Sequence, residues 1–202
     1  MQSFRLKAIP GELNWLNQPV AAQVKSENSL SITAGAEQDW FHSPADRNFK
    51  KRSAPVALFS PPDASLLLSA RVTVGFNATY DAGVLFVFAD EQHWAKLCFE
   101  YSPQGEPMVV SVVTRDQSDD CNSVIIPSNT VYSRIYRHDE TFAFHYSTDG
   151  QRWHFVRHFT LGRLSDLRLG FCAQAPTGKG CTVDFDKITY QATTLANLRS
   201  GE

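Results

Sequence analysis

Apolar and polar residues alternate with a period of two along most of this chain. The runs 30–34, 56–60, 66–76, 84–89, 94–101, 108–114, 124–126, 131–137, 142–147, 153–159, 167–175 and 181–190 read as strands. Successive side chains of a strand point to opposite faces, so such alternation buries one face and wets the other. Turn residues punctuate the runs: Pro61-Pro62-Asp63, Tyr80-Asp81-Ala82-Gly83, Pro103-Gln104-Gly105, Asp149-Gly150 and Pro176-Thr177-Gly178. Many short strands at this spacing predict an all-β sandwich or barrel. No run carries a capped helical period beyond a weak turn over 195–199, and no repeat or linker divides the chain. Residues 1–202 are therefore read as one domain with short peripheral terminal segments.

The pattern also predicts register. With Asp139-Glu140 as the turn, 131–138 and 141–147 form an antiparallel hairpin. Arg134 then lies opposite His145, Tyr136 opposite Ala143, Ile135 opposite Phe144 and Arg137 opposite Phe142. One face is Phe-rich, and the other carries Tyr132, Arg134, Tyr136 and His145. In the following turn, Ser147-Thr148-Asp149-Gly150-Gln151-Arg152-Trp153, Asp149 can accept from backbone amides ahead of it. Gly150 supplies a positive φ, and Trp153 can cover the turn.

The stretch HWAKLCFEY, residues 93–101, poses the functional question. His93, Ala95, Leu97, Phe99 and Tyr101 share one face, and Trp94, Lys96, Cys98 and Glu100 the other. Lys96 and Glu100 are about 13 Å apart along an extended strand, too far to pair with each other, whereas Trp94 and Lys96 are close enough to line one patch. The charges need water or partners on neighbouring strands. Lys96, Glu100, Arg134 and His145 are expected to form the polar floor of a groove, with Glu100 paired to Arg134 or a neighbouring base and Trp94 as an apolar platform. Aromatic rings beside charged groups suit a carbohydrate, since rings pack on sugar faces and charges bond hydroxyls. The competing reading is an outer sheet that simply faces solvent.

Composition narrows the chemistry. Apolar residues make up 43% of the 202 and include 14 Phe, enough for a substantial core. The net charge of −2, from 19 basic and 21 acidic residues, gives no sign of a nucleic-acid partner. The basic cluster Lys50-Lys51-Arg52 reads as a solvated loop. The N-terminal residues lack the apolar core of a secretory signal, and the longest apolar run, 82–89, is far short of the ~20 residues that cross a bilayer. A soluble, cytoplasmic protein with no membrane partner is expected. Cys98, Cys121, Cys172 and Cys181 lack zinc-site spacing and read as free thiols, with a Cys172–Cys181 bridge as the alternative in an oxidising compartment.

Catalytic constellations are sparse. Asp184 and Asp186 are a same-face carboxylate pair in a strand, and Asp116, Asp119 and Asp120 fall in an acidic loop that reads as a solvated turn rather than a cation site. His154 and His158 would be about 13 Å apart in a strand, too far to share one metal. No phosphate loop or nucleophile elbow occurs, so neither a catalytic residue, a metal nor a cofactor is expected.

The segments DAGVLFVFADEQHWAKLCFEY, YSTDGQRWHFVR and LRLGFCAQAPTGKGCTVDFDKITY resemble the regulation-of-enolase family of unknown biochemical function, over about residues 8–193. Their most specific element is Trp94, Lys96 and Glu100 in their strand. The resemblance implies a two-sheet antiparallel jelly roll of the concanavalin A-like lectin/glucanase type, with a concave face holding Trp94, Lys96, Glu100 and Arg134. It adds Trp40 and His42, from EQDWFHSP, as residues near the groove. The acidic motif of glucanases is missing, which argues against hydrolysis. A non-catalytic binding module for a carbohydrate or small polar metabolite is the leading expectation. A regulator that docks on a metabolic enzyme and an unconventional sugar-active enzyme are the alternatives.

Overall fold

The structure, a computed structural model, describes residues 3–162 and 165–202. It is all-β, with two antiparallel seven-stranded sheets packed face to face and no helix among the described residues. The first sheet runs in the order β1 (Asn14–Trp15), β6 (Val56–Phe59), β15 (Arg168–Gln174), β8 (Ala82–Phe88), β9 (His93–Tyr101), β10 (Pro107–Arg115) and β11 (Gln117–Ile125). The second runs in the order β14 (His154–Thr160), β13 (Thr141–Ser147), β12 (Thr130–His138), β7 (Ser65–Val74), β16 (Gly180–Gln191), β3 (Ser29–Gly35) and β2 (Ala21–Ser26). A separate two-stranded ribbon joins β4 (Trp40–His42) to β5 (Lys50–Arg52).

The main core lies between the sheets. Leu85, Leu97, Phe99 and Phe171 of the first sheet meet Leu68, Val72, Ile135, Phe144 and Phe185 of the second. Alternation sends the other residues of each strand outward. On most sandwiches that outer face is wet, but here β8 is buried along its entire length on both faces. The reason is the β4–β5 ribbon. Trp40 lies over the outer face of the first sheet, edge-on to Phe86, Phe88 and Trp94, and builds a second apolar cluster with Val56, Val84 and Cys98. The apolar run 82–89 is thus the signature of a strand covered twice.

Register in the second sheet matches the sequence reading. Arg134 faces His145, Tyr136 faces Ala143, Ile135 faces Phe144 and Arg137 faces Phe142. The turn after β13 also forms as read: Asp149 Oδ1 accepts from the amides of Gln151 and Arg152 at 2.8 and 2.9 Å, and Gly150 has φ 76°. The acidic segment departs from expectation. Gln117 through Ile125 is a strand rather than a loop, pairing antiparallel with β10 across one bulge at Ser123. Lys50, Lys51 and Arg52 likewise form β5 rather than a loop. Asp184 and Asp186 are each held by a cation: Asp184 accepts from Lys25 at 2.7 Å, and Asp186 is gripped by two nitrogens of Arg71. All four cysteines are free thiols. Cys172 sits in the outer cluster and Cys181 in the core between the sheets, so no bridge joins them.

Candidate functional site

A recess of about 450 Å³ opens on the outer face of the first sheet, beside the ribbon. Its floor is Met108, Val110 and Val112 of β10, and Phe41, Phe49 and Tyr80 form its aromatic wall. Phe49 and Tyr80 are 45% and 39% exposed, so the rim rings are open to a ligand. Tyr80 holds a left-handed backbone, φ 70°, which a non-glycine residue adopts only when its surroundings impose it. The imposing contacts are its amide, which donates to the Tyr101 carbonyl at 2.7 Å, and its own carbonyl, which accepts from Gln174 Nε2 at 3.3 Å.

Four polar groups converge at the inner end. Lys96 Nζ donates to Gln174 Oε1 at 3.0 Å and to Asp39 Oδ1 at 3.4 Å. Gln174 Nε2 also donates to Glu100 Oε2 at 3.4 Å. The register explains the convergence, because Ala82 of β8 lies opposite both Gln174 and Glu100. Its small side chain lets the two longer ones meet over it. Lys96 and Asp120 flank Val112 from opposite sides, which brings Asp120 to the outer edge of the same recess.

Electrostatics distinguishes the two charged residues of β9. Burial works against the charge of Lys96, but the adjacent Asp39 carboxylate more than offsets it and holds the ammonium above its ordinary pKa. Glu100 has no comparable support. Burial pushes its carboxyl up, Lys96 pulls it down, and Asp39 and Asp120 push it up again, for a value of about 8. Among the described residues no ion pair reaches Glu100 or Asp120. Cys98 and Cys172, buried close to Lys96, are pushed up by burial and are not poised as nucleophiles.

The sequence-predicted residues separate into three groups. Lys96 and Glu100 both line the recess. Trp94 does not serve as a platform: it is fully buried beneath the ribbon, stacked on Phe86 and edge-on to Trp40 and His42. Trp40 and His42 anchor the ribbon instead of facing the cavity. Trp40 Nε1 donates to the Ala54 carbonyl at 2.9 Å, and the His42 amide donates to Ser118 Oγ at 3.0 Å. Phe41 between them points the other way, into the recess.

Arg134 and His145 belong to the second sheet, on the opposite side of the sandwich, so Glu100 and Arg134 cannot pair. Their partners are in the C-terminal turn. Arg134 Nη2 donates to the Gly201 carbonyl at 2.8 Å and stacks its guanidinium 4.1 Å from the Trp153 ring, while His145 Nε2 donates to the Leu198 carbonyl at 2.8 Å. Sequence reasoning missed Asp39, Gln174, Phe41, Phe49, Tyr80 and Asp120. Asp39 and Phe41 flank Trp40 in EQDWFHSP, and Tyr80 and Asp120 read only as parts of turns in the sequence.

Together these features define a β-sandwich of the jelly-roll class with a lidded recess on the outer face of one sheet. The chain belongs to the family described as "Protein of unknown function (DUF1349)", whose match spans residues 15–193. The chain is similar to a functionally unknown protein from Saccharomyces cerevisiae, at 22% identity and TM-score 0.78, with 91% of this chain and 97% of that chain covered. It is also similar to the GH43 protein BlXynB from Bacillus licheniformis at 12% identity and TM-score 0.65, covering 84% of this chain and 38% of that one. An alginate lyase from Klebsiella pneumoniae matches at 14% identity and TM-score 0.50, over 83% and 82% of the two chains. At these identities the likeness is one of fold. A search of the curated proteins finds no match to this chain.

Proposed function

We propose that this protein is a non-catalytic binding module that takes a carbohydrate, or a polar metabolite of similar size, into the recess beside the β4–β5 ribbon. One observation carries the reading: three aromatic rings and an apolar floor surround the converging side chains of Lys96, Asp39, Gln174 and Glu100. Apolar surface with a few placed polar groups is the usual make-up of a small-ligand site. A hydroxylated ring matches both parts, with its C–H face on Phe41, Phe49 or Tyr80 and its hydroxyls on Glu100 and Gln174. Catalysis fits less well, since Asp39 is committed to Lys96 and to the Trp40 amide, which donates to it at 2.7 Å. The jelly-roll fold recurs in a GH43 protein and in an alginate lyase, whose names point to carbohydrates.

The reading as a regulator docked on a metabolic enzyme calls for a contiguous exposed apolar patch. The exposed large apolar residues are instead dispersed: Val20 and Val24 by β2, Ile125 at the end of β11, and Phe49 and Tyr80 at the recess itself. The free thiols suit a reducing compartment and so a cytoplasmic location. Amide chemical-shift mapping with a panel of neutral mono- and oligosaccharides tests the proposal. Shifts are expected to cluster at Phe41, Phe49, Tyr80 and Gln174, and a panel that moves none of them refutes it.

A further inference from the structure

We propose that the ligand of this recess carries a protonated amine on its hydroxylated frame, as an amino sugar does. The inference rests on the recess being the binding site and names the charge of what it binds. Three carboxyl groups line the cavity, those of Asp39, Glu100 and Asp120, and two ammonium groups, those of Lys51 and Lys96. Lys96 is consumed by Asp39 at the inner end and by the Gln174 amide oxygen. Lys51 is turned outward along the ribbon, where its Nζ donates to the Glu37 carbonyl at 3.2 Å. That leaves Glu100 and Asp120 without a cation among the described residues.

Glu100 is the informative one. Glu100 is half-buried at the mouth of the recess, and a carboxyl in such a place ordinarily has a basic partner, because a charge with little access to water is costly. Its single hydrogen-bond partner is the neutral Gln174 amide. Burial and the two other acids hold it largely protonated at neutral pH. A cationic ligand beside Glu100 would let the carboxyl ionise without leaving a lone negative charge at the recess.

The walls agree with a cation as occupant. Phe41, Phe49 and Tyr80 present ring faces or edges to the same space, and an ammonium near an aromatic face is attracted by the ring quadrupole. An anionic sugar would meet Asp120 at the outer edge and Glu100 within, with only Lys51, already bonded to the Glu37 carbonyl, to receive it. A hydroxylated ring bearing an ammonium group satisfies the aromatic wall, the amide of Gln174 and the unpaired acids at once.

Isothermal titration calorimetry with glucosamine, N-acetylglucosamine, glucose, glucuronate and putrescine, paired with the shift mapping above, decides the matter. Glucosamine is expected to bind at least tenfold tighter than glucose or N-acetylglucosamine, and glucuronate more weakly than either. Glu100→Gln is expected to cut the glucosamine-over-glucose preference below threefold. Asp120→Asn, at an exposed edge position, is expected to lower it in a variant whose folding is not in question. Equal binding of glucose and glucosamine overturns the amine inference and leaves the carbohydrate site standing. Putrescine binding without any sugar keeps the ammonium and overturns the sugar frame. Silence of every recess resonance with all five compounds overturns the site, and the amine inference with it.

Discussion

Replacing Lys96 by Met keeps the length and most of the volume of the side chain and removes its charge and its donors. The structure sets the size of the effect. Lys96 Nζ lies 3.4 Å from Asp39 Oδ1, and the two side chains are only 3% and 13% exposed. At that separation and an effective dielectric of 20 the attraction is about 5 kcal/mol before desolvation is subtracted. The ion pair as a whole therefore adds little, but removing one member leaves Asp39 charged and enclosed, a loss of about 3–5 kcal/mol. Gln174 Oε1 also loses a donor, within the ~1–3 kcal/mol range of an unsatisfied buried acceptor, so the total belongs at the upper end. For a chain of this size that lowers Tm by roughly 10 °C or more.

Urea denaturation followed by tryptophan fluorescence measures the loss, since Trp40 and Trp94 both lie in the cluster that the ribbon covers. Asp39→Asn alone and the double substitution complete a thermodynamic cycle. A coupling energy of about 2 kcal/mol or more is expected, because the double variant buries no unpaired charge. A Lys96→Met loss below about 1 kcal/mol, with additive single effects, would refute the claim that this pair fastens the ribbon.

Glu100 titrates at about 8 in the fold against 4.5 for an ordinary glutamate, so the folded state binds more protons between those values and stability falls as pH rises through that window. The full span corresponds to ~4–5 kcal/mol, and Glu100→Gln is expected to flatten the curve of stability against pH; an unchanged slope would contradict the assignment. His145 has the opposite sign: burial depresses it to about 4 from 6.5, so it contributes stability that is present above pH 6.5 and lost as pH falls toward 4. Nuclear magnetic resonance should show the 195–201 turn loosening across that acid range, since protonating the imidazole puts a charge in an enclosed place beside Arg134; a turn still in register at pH 4 would count against it. Gly170→Ala should cost at least ~3 kcal/mol with no effect on ligand chemistry, because a Cβ there overlaps the Ala57 carbonyl of the adjacent strand; a soluble variant of wild-type Tm would disprove that contact.

Alternation was enough to read the two-sheet fold, because period two states which side of each strand is apolar and most strands here have one strongly apolar side. It failed where a strand has none. In β11 the outward residues are Asp120 and Asn122 and the neighbours are Ser, Asp and Cys, since an edge strand with one partner buries little. β2, AAQVKS, was missed for the same reason at the other sheet's edge. The site was half legible. Parity placed Trp94, Lys96 and Glu100 on the outer face correctly, but parity does not say what covers that face, and the ribbon that buries Trp94 comes from 40 residues or more away. Nor does it say which sheet a strand joins. Arg134 and His145 have the same outward placement as Lys96 and Glu100, on the other sheet. Gln174 and Asp39, separated from Lys96 by 78 and 57 residues, meet it only through the strand order.

The two outer faces show why recognition and stability separate along β9. On the second sheet Arg134 and His145 bond the carbonyls of the C-terminal turn, and Leu195 and Leu198 cover Tyr136 and Phe155. On the first sheet the ribbon covers only part of the face. Where it ends, the polar residues divide by partner. Lys96, tied to Asp39, holds the ribbon against the sheet and so sets the shape of the recess. Glu100, four residues on, is tied only to an amide and faces the opening. Variants at Lys96 and Asp39 are therefore expected to change folding first and binding through the altered lid. Variants at Glu100 and Asp120 act on ligand choice with the lid in place. Glu100→Gln removes the cost of ionising that carboxyl and so is expected to keep folding stability at neutral pH, and a loss of amine preference measured there isolates recognition from folding.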